Sequence, residues 1–233
     1  MYCPDCPQWP RLAASLSLMA LALSAGAAHA QLNATLCGSL ENAYGPYDYR
    51  TDKSKLPIVE GAHFTPQVEM LIKATTGYIG GDLDYTLRAF PNHHRALIAM
   101  QRYAERSKTA KAPNARYDVE CYFERAVTFK PDDTTVRMLF AKFLNGKGRR
   151  DDALKHLAHA AHQAGDNAFT HYNLGLVYSD LQVFDKALEQ AHRALALGFP
   201  RTDLKDKLAA AGQWRDPAPP AAAAAASAAS AAQ

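Results

Sequence analysis

The chain has 233 residues, of which 48% are hydrophobic and 21% charged. That is enough apolar material for one globular domain with appendages, and it excludes a chain that is disordered throughout. The formal charge of +3 comes from 26 basic and 23 acidic residues scattered along the whole length, which leaves no basic footprint for nucleic acid or an anionic membrane.

Residues 1–30 read as a secretory signal peptide. Arg11 closes a polar start, Leu12 to Ala25 is an apolar run, and Ala28-His29-Ala30 puts small residues at the two positions a signal peptidase inspects, so cleavage is expected after Ala30. The apolar run is shorter than the ~20 residues of a comfortable membrane span, and no other stretch reaches that length. The mature chain is therefore expected in the exported compartment, in a bacterium the periplasm, with no stable membrane insertion. Cys3 and Cys6 form a C-x-x-C inside the leader and leave with it. Cys37 and Cys121 remain, an even pair in an oxidising space, which predicts one disulfide against the alternative of two buried thiols.

Residues 31–91 are rich in aromatics and turn formers, as in Tyr44-Gly45-Pro46-Tyr47-Asp48-Tyr49. Thr65-Pro66, a cap followed by proline at the first helical position, predicts a helix from Pro66 to about Ala74. The glycine-rich run Gly77-Tyr78-Ile79-Gly80-Gly81-Asp82 is expected to form a turn, and the stretch Asp82 to Phe90, stopped by Pro91, a shortened helix. These two helices would make a decayed hairpin.

From residue 92 a period emerges. In the segment 168–200, Leu174, Gly175, Tyr178, Phe184, Ala187, Ala194 and Leu195 fall at L-G-x-x-Y, an aromatic, A and A-L. One step of ~34 residues back, the segment 134–167 matches again through Phe140, Ala141, Leu144, Ala153, Leu157 and Ala160. A degenerate copy over 92–133 carries Ala96, Ala99, Met100 and Tyr103 on its first helix and Val119, Phe123, Ala126 and Val127 on its second. Its connection is lengthened near Lys108 to Ala115, where Pro113 and Asn114 break any helix. Residues 201–215 continue a helical pattern through Leu204 and Leu208 with a polar opposite face, suited to a closing helix. The Ala/Pro-rich residues 216–233 have almost nothing to bury and read as a disordered tail.

The two matched segments resemble the tetratricopeptide repeat family. That resemblance implies an all-α solenoid of stacked helical hairpins, with an irregular N-terminal segment before it and a C-terminal capping helix after it. It also implies a concave groove lined by the first helix of each hairpin. The groove positions of the last repeat are Phe169, Tyr172, Leu176 and Ser179, and those of the middle repeat are Thr135, Met138, Lys142 and Asn145. His94, Leu97 and Gln101 follow in the degenerate copy. Exposed Phe169, Tyr172, Leu176 and Met138 would form an apolar strip for a protein or peptide partner, unless the chain's own segments occupy it. Asn173 stands where some relatives clamp a ligand carboxylate, although Lys142 is the one convincing cation beside it.

The remaining candidates carry less. His156, His159 and His162 recur every third residue but span about 240° of a helix, so a solvated face is expected rather than a metal site. His93-His94 reads as turn and packing. No nucleophile motif, phosphate loop or paired-carboxylate site is present, and neither a cofactor nor catalysis is expected. An envelope enzyme remains the alternative, with its site around Tyr44 to Tyr49, His63 and Asp82 to Asp84. Finally, Cys121 lies between the packing positions Val119 and Phe123, with charged Arg125 one turn on. Its thiol is therefore expected to face outward, so that a bond to Cys37 would pin the irregular segment across the outer face of the first repeat.

Overall fold

The computed structural model describes residues 37–217. The signal-peptide reading, Cys3, Cys6 and all but the first two residues of the expected tail lie outside the described residues. Among the described residues the chain is all-helical, with ten α-helices, one 3-10 turn at Lys53–Lys55 and no strand.

Two hairpins form the C-terminal half. One pairs α6 (Thr134–Gly146) with α7 (Arg150–Gln163), the other α8 (Ala168–Asp180) with α9 (Phe184–Ala196), and each pair is joined by a three-residue connection. The same devices shape both. Asp133 accepts a hydrogen bond from the Val136 amide (3.1 Å) and Asn167 one from Thr170 (2.9 Å), so each first helix begins with a side-chain cap. Each hairpin turn contains one left-handed residue, Gly148 at φ 76° and Gln182 at φ 56°. The small residues Ala141, Ala153, Ala160, Ala187 and Ala194 are all buried where the helices approach. Gly175 plays that part for the last helix, α10 (Asp203–Ala210): a Cβ there would lie 2.4 Å from Leu204 Cδ2, so only glycine seats Leu204 this closely.

Upstream lie α1 (Leu56–His63), α2 (Pro66–Glu69), α3 (Ile79–Ala89), α4 (His94–Ser107) and α5 (Val119–Phe129). α4 is capped by His93, whose Nδ1 accepts from the Ala96 amide (3.1 Å). One continuous apolar core runs from Phe64 to Leu208, with Phe123 and Phe140 stacked at 5.2 Å at its centre. A smaller cluster of Leu56, Val59, Ala89 and Phe90 is covered by Tyr44, Tyr47, Tyr49 and Tyr85.

Three expectations are corrected. The helix expected over residues 66–74 stops at Glu69, because Leu71 turns left-handed (φ 59°) and drops its side chain into the core. Gly80 and Gly81 lie within the first turn of α3 rather than in a loop before it. Gly80 is there for space, since a Cβ would fall 1.9 Å from the Pro113 carbonyl. Arg125, expected on an outward charged face, is buried at 3% exposure.

The disulfide joins Cys37 and Cys121, with Cα atoms 5.0 Å apart. It fastens the start of the irregular segment to α5. The far end of that segment is held by a polar knot. Asn92 donates to Asp48 (2.7 Å) and to Asp133 (2.9 Å), the Tyr49 amide donates to Asn92 (2.9 Å), and Arg50 pairs with both Asp48 (2.9 Å) and Asp132 (2.8 Å). Burial pushes the Asp48 carboxyl up, but hydrogen bonds from Arg50 and Asn92 outweigh it and hold the group well below the usual carboxylate range.

Candidate functional site

A groove of about 430 Å³ opens between α6 and α8 and is closed at one end by α10. It gathers five of the six predicted partner-binding residues: Met138 and Lys142 from α6, and Phe169, Asn173 and Leu176 from α8. Phe169 is 60% exposed, an unusual state for a large aromatic, whereas Met138 is buried in the floor at 7%. Leu139 and Val177 extend the apolar lining. On α8 the residues Phe169, Asn173, Leu176 and Asp180 recur at four, three and four, which is a single helix stripe.

Charge is concentrated at the rim. Lys142 Nζ lies 3.4 Å from Asp180 Oδ2, while Lys207 of α10 bonds the other oxygen of the same carboxylate. Two ammonium groups therefore share one acid. Asn173 spends its amide donor within its own helix, on the Phe169 carbonyl (2.8 Å).

Tyr172 is the exception and a correction. One residue off the stripe, it is rotated by about 100° and is buried at 3% exposure rather than exposed in the groove. Its ring packs on Phe199 at 4.6 Å, the Arg201 guanidinium lies 5.2 Å above it, and its hydroxyl donates to Asp203. It anchors the closing helix. Ser179 is likewise buried, Leu97 is core, and His94 turns away to bond Asp133 (2.9 Å). Gln101 instead lines a neighbouring cavity of about 450 Å³ with Glu105, Phe143 and Lys147.

The N-terminal candidates fall into separate networks. His63 Nδ1 meets Asp82 Oδ1 at 3.0 Å, and its ring stacks on Tyr85 at 4.0 Å. Asp82 also accepts from the Thr75 amide (2.7 Å), the Thr76 amide (3.2 Å) and the Thr76 hydroxyl. Burial raises its carboxyl and these bonds lower it further than burial lifts it. Asp84, two residues on, faces elsewhere: it accepts from Tyr122 Oη (2.5 Å) and Arg88 Nε (2.9 Å). Burial and this carboxylate push the Tyr122 hydroxyl well up. Tyr44 and Tyr47 pack edge to face at 5.0 Å over Phe90. The structure thus joins His63 with Asp82, while Asp84, Tyr44 and Tyr47 make their contacts in other networks.

Of the three spaced histidines, His159 and His162 are exposed as expected, but His156 is half-buried with its ring 4.5 Å from Phe140. Burial, with help from Arg137, pushes it down to about 4. Among the described residues no group of three or more His, Cys, Asp or Glu side chains is placed to hold a metal ion, and no helix is long and apolar enough to cross a membrane.

Sequence reasoning missed Asp180 and Lys207. Asp180 was available, because it continues the Phe169-Asn173-Leu176 stripe by one more turn. Lys207 was not, since nothing local says where the closing helix docks. No protein-family model matches this chain, and no curated protein matches it.

Proposed function

We propose that this chain is an exported scaffold of the tetratricopeptide repeat type, delivered to the periplasm by residues 1–30, and that it binds a polypeptide partner in the groove between α6 and α8. The observation that carries the reading is Phe169, which stands 60% exposed at the edge of an apolar-floored groove with Lys142, Asp180 and Lys207 on its rim. An exposed aromatic beside a concave apolar surface with a few polar groups is what an interaction hot spot needs. The capped, evenly repeated hairpins on either side supply a rigid frame, so binding need not order the receptor first.

The experiment is a displayed-peptide selection on the purified mature protein, followed by titration of the selected peptides. Saturable binding should weaken at least about tenfold in Phe169→Asp or Leu176→Asp. It should persist in Ile58→Asp, an exposed apolar residue on α1 remote in sequence from the groove. Equal loss in all three, or selection of nothing above background, refutes the reading.

The alternative is an enzyme using His63 and Asp82, and one observation favours it: a histidine oriented by a buried carboxylate is the arrangement of a general base. The same contacts are also what is required to hold the loop 70–78 against α3. The scaffold reading is preferred because the groove offers a cavity of about 430 Å³ with an exposed aromatic at its edge.

A further inference from the structure

Among the described residues Arg125 is a buried cation without an anion. Its residue is 3% exposed, and its Nη1 donates to three consecutive main-chain carbonyls: Cys37 (3.0 Å), Gly38 (3.1 Å) and Ser39 (2.6 Å). Its Nε is fully buried and bonds nothing, and among the described residues no carboxylate pairs with the guanidinium. The Tyr117 ring lies 4.9 Å from it and supplies only a weak quadrupolar contact. Desolvation lowers its affinity for a proton, and the charges of Tyr117, Tyr122 and Asp84 oppose this without outweighing it. Buried charges are ordinarily paired, and outside residues 37–217 the sequence holds a single side-chain acid, Asp5.

Beside this guanidinium is a cavity of about 200 Å³, lined by Cys37, Gly38, Ser39, Leu40, Glu124, Arg125 and Thr128. It combines the apolar side chain of Leu40 and one half of the disulfide with two hydroxyls. Glu124 does not serve as the missing anion. Among the described residues it makes no ion pair or hydrogen bond with the guanidinium, and burial, then the charge of Glu120, push its carboxyl up. At the ~30 Å³ a water takes in the liquid, the cavity has room for about six non-hydrogen atoms.

We propose that Arg125 and this cavity form a binding site for a small monocarboxylate, whose charge completes the guanidinium and whose short apolar body lies against Leu40 and the disulfide. The size admits acids such as propionate or butyrate. A dianion such as phosphate is disfavoured, since Nη1 is already spent on three carbonyls. The site is separate from the groove between α6 and α8 and does not depend on the function proposed for it.

The test follows the Nε–Hε resonance of Arg125 in the mature protein by NMR, during titration with sodium acetate, propionate and butyrate against sodium chloride at matched ionic strength. The proposal expects a saturable shift with the carboxylates, tighter for butyrate than for acetate, and none with chloride. Thr128→Trp and, separately, Leu40→Trp fill the cavity without touching the Arg125 carbonyl bonds. Each should abolish the shift, with the helical signal and the Cys37–Cys121 bond verified as controls. The proposal is overturned by the absence of a saturable shift, by an equal response to chloride, or by a response that survives both plugs. Nuclear Overhauser contacts placing residues 31–36 in the cavity would also overturn it, because the chain would then fill its own site.

Discussion

Gly80 and Gly81 are neighbours in the first turn of α3, yet they should respond oppositely to the same substitution. A Cβ on Gly81 meets nothing within 4 Å, so Gly81→Ala gains helix propensity at no steric cost, about 0.5–1 kcal/mol. A Cβ on Gly80 would lie 1.9 Å from the Pro113 carbonyl oxygen and 3.3 Å from the Ala115 amide nitrogen. Both are backbone atoms, so relief requires α3 or the 108–118 loop to move by more than 1 Å from a contact floor near 3.0 Å. Overpacking of that kind costs typically 1–3 kcal/mol, and the upper part of that range applies where backbone meets Cβ. After the propensity gain, Gly80→Ala should be less stable than the parent by about 1–2 kcal/mol. For a domain of this size that places the two variants roughly 4–10 °C apart in Tm. Urea titration followed by the helical circular dichroism signal reads the difference directly. The Gly80 change also displaces a loop whose Lys108, Thr109 and Asp118 line the 450 Å³ cavity, so amide resonances there should move in Gly80→Ala alone. If both variants shift stability in the same direction by similar amounts, the packing of α3 on the loop is wrong.

Four further outcomes are expected. Leu174→Asp, at a position with no exposure, should cost on the order of 3 kcal/mol or more. Tyr172→Ala should cost about 2–4 kcal/mol through lost packing on Phe199, and near-neutral behaviour of Tyr172→Ala in denaturant titration would return that residue to the groove. His93 is fully buried, and burial pushes it down to about 3. Between about pH 6.5 and pH 3 the unfolded chain therefore binds a proton that the folded chain refuses. Its contribution is complete above pH 6.5 and is lost as the pH falls, by up to about 1.4 kcal/mol per unit. His93→Asn keeps an acceptor for the Ala96 amide and should flatten the slope of stability between pH 7 and 5; an unchanged slope refutes the assignment. Reduction of the Cys37–Cys121 bond, which spans a sequence separation of 84, should lower stability by about 4 kcal/mol in the chain-entropy account. Calorimetry with and without reductant measures it, and a loss below 1 kcal/mol would mean that the knot around Asp48 and Asn92 restrains the segment alone.

The hairpins were legible because their signals are local. Alanine and aromatic spacing marks the faces, and acidic or amide caps precede the first helices at Asp133 and Asn167. Gly148 marks one of the left-handed turns. Five of the groove residues follow from the resulting register, and Asp180 belongs to it. Tyr172 did not, since whether a side chain one position off the stripe is exposed depends on where Phe199 and α10 pack, a long-range matter. Met138 was placed correctly but judged by its neighbours' exposure rather than its own. Gly80 was read as a turn residue because glycine in sequence signals freedom. In the structure it serves close approach, and the partner, Pro113, lies more than thirty residues away. Arg125 misled for a similar reason: its charge suggested solvent, while the carbonyls that accept its protons belong to residues 37–39. The disulfide was foreseeable from parity and the expected compartment, but the guanidinium beneath it was not.

The position shared by Asp133 and Asn167 shows how the two ends of the molecule come to differ within one register. Both residues cap a first helix through the amide three residues on. Asn167 stops there. Asp133 carries a charge, and with the oxygens left over it also accepts from Asn92 and from His94. Burial raises its carboxyl, yet His94 and Asn92 hold it below the ordinary range, so the acid remains ionised where an amide would suffice for the cap. The extra function is attachment. Through Asn92 and Arg50 the cap of α6 reaches Asp48, and through Cys121 and Arg125 α5 reaches residues 37–39. The irregular segment is therefore clamped at both ends to the hairpins that precede the groove. None of these attachments uses a residue that lines the groove between α6 and α8. Among the described residues, ionic ties that are costly to bury thus gather at the N-terminal end, away from the exposed Phe169.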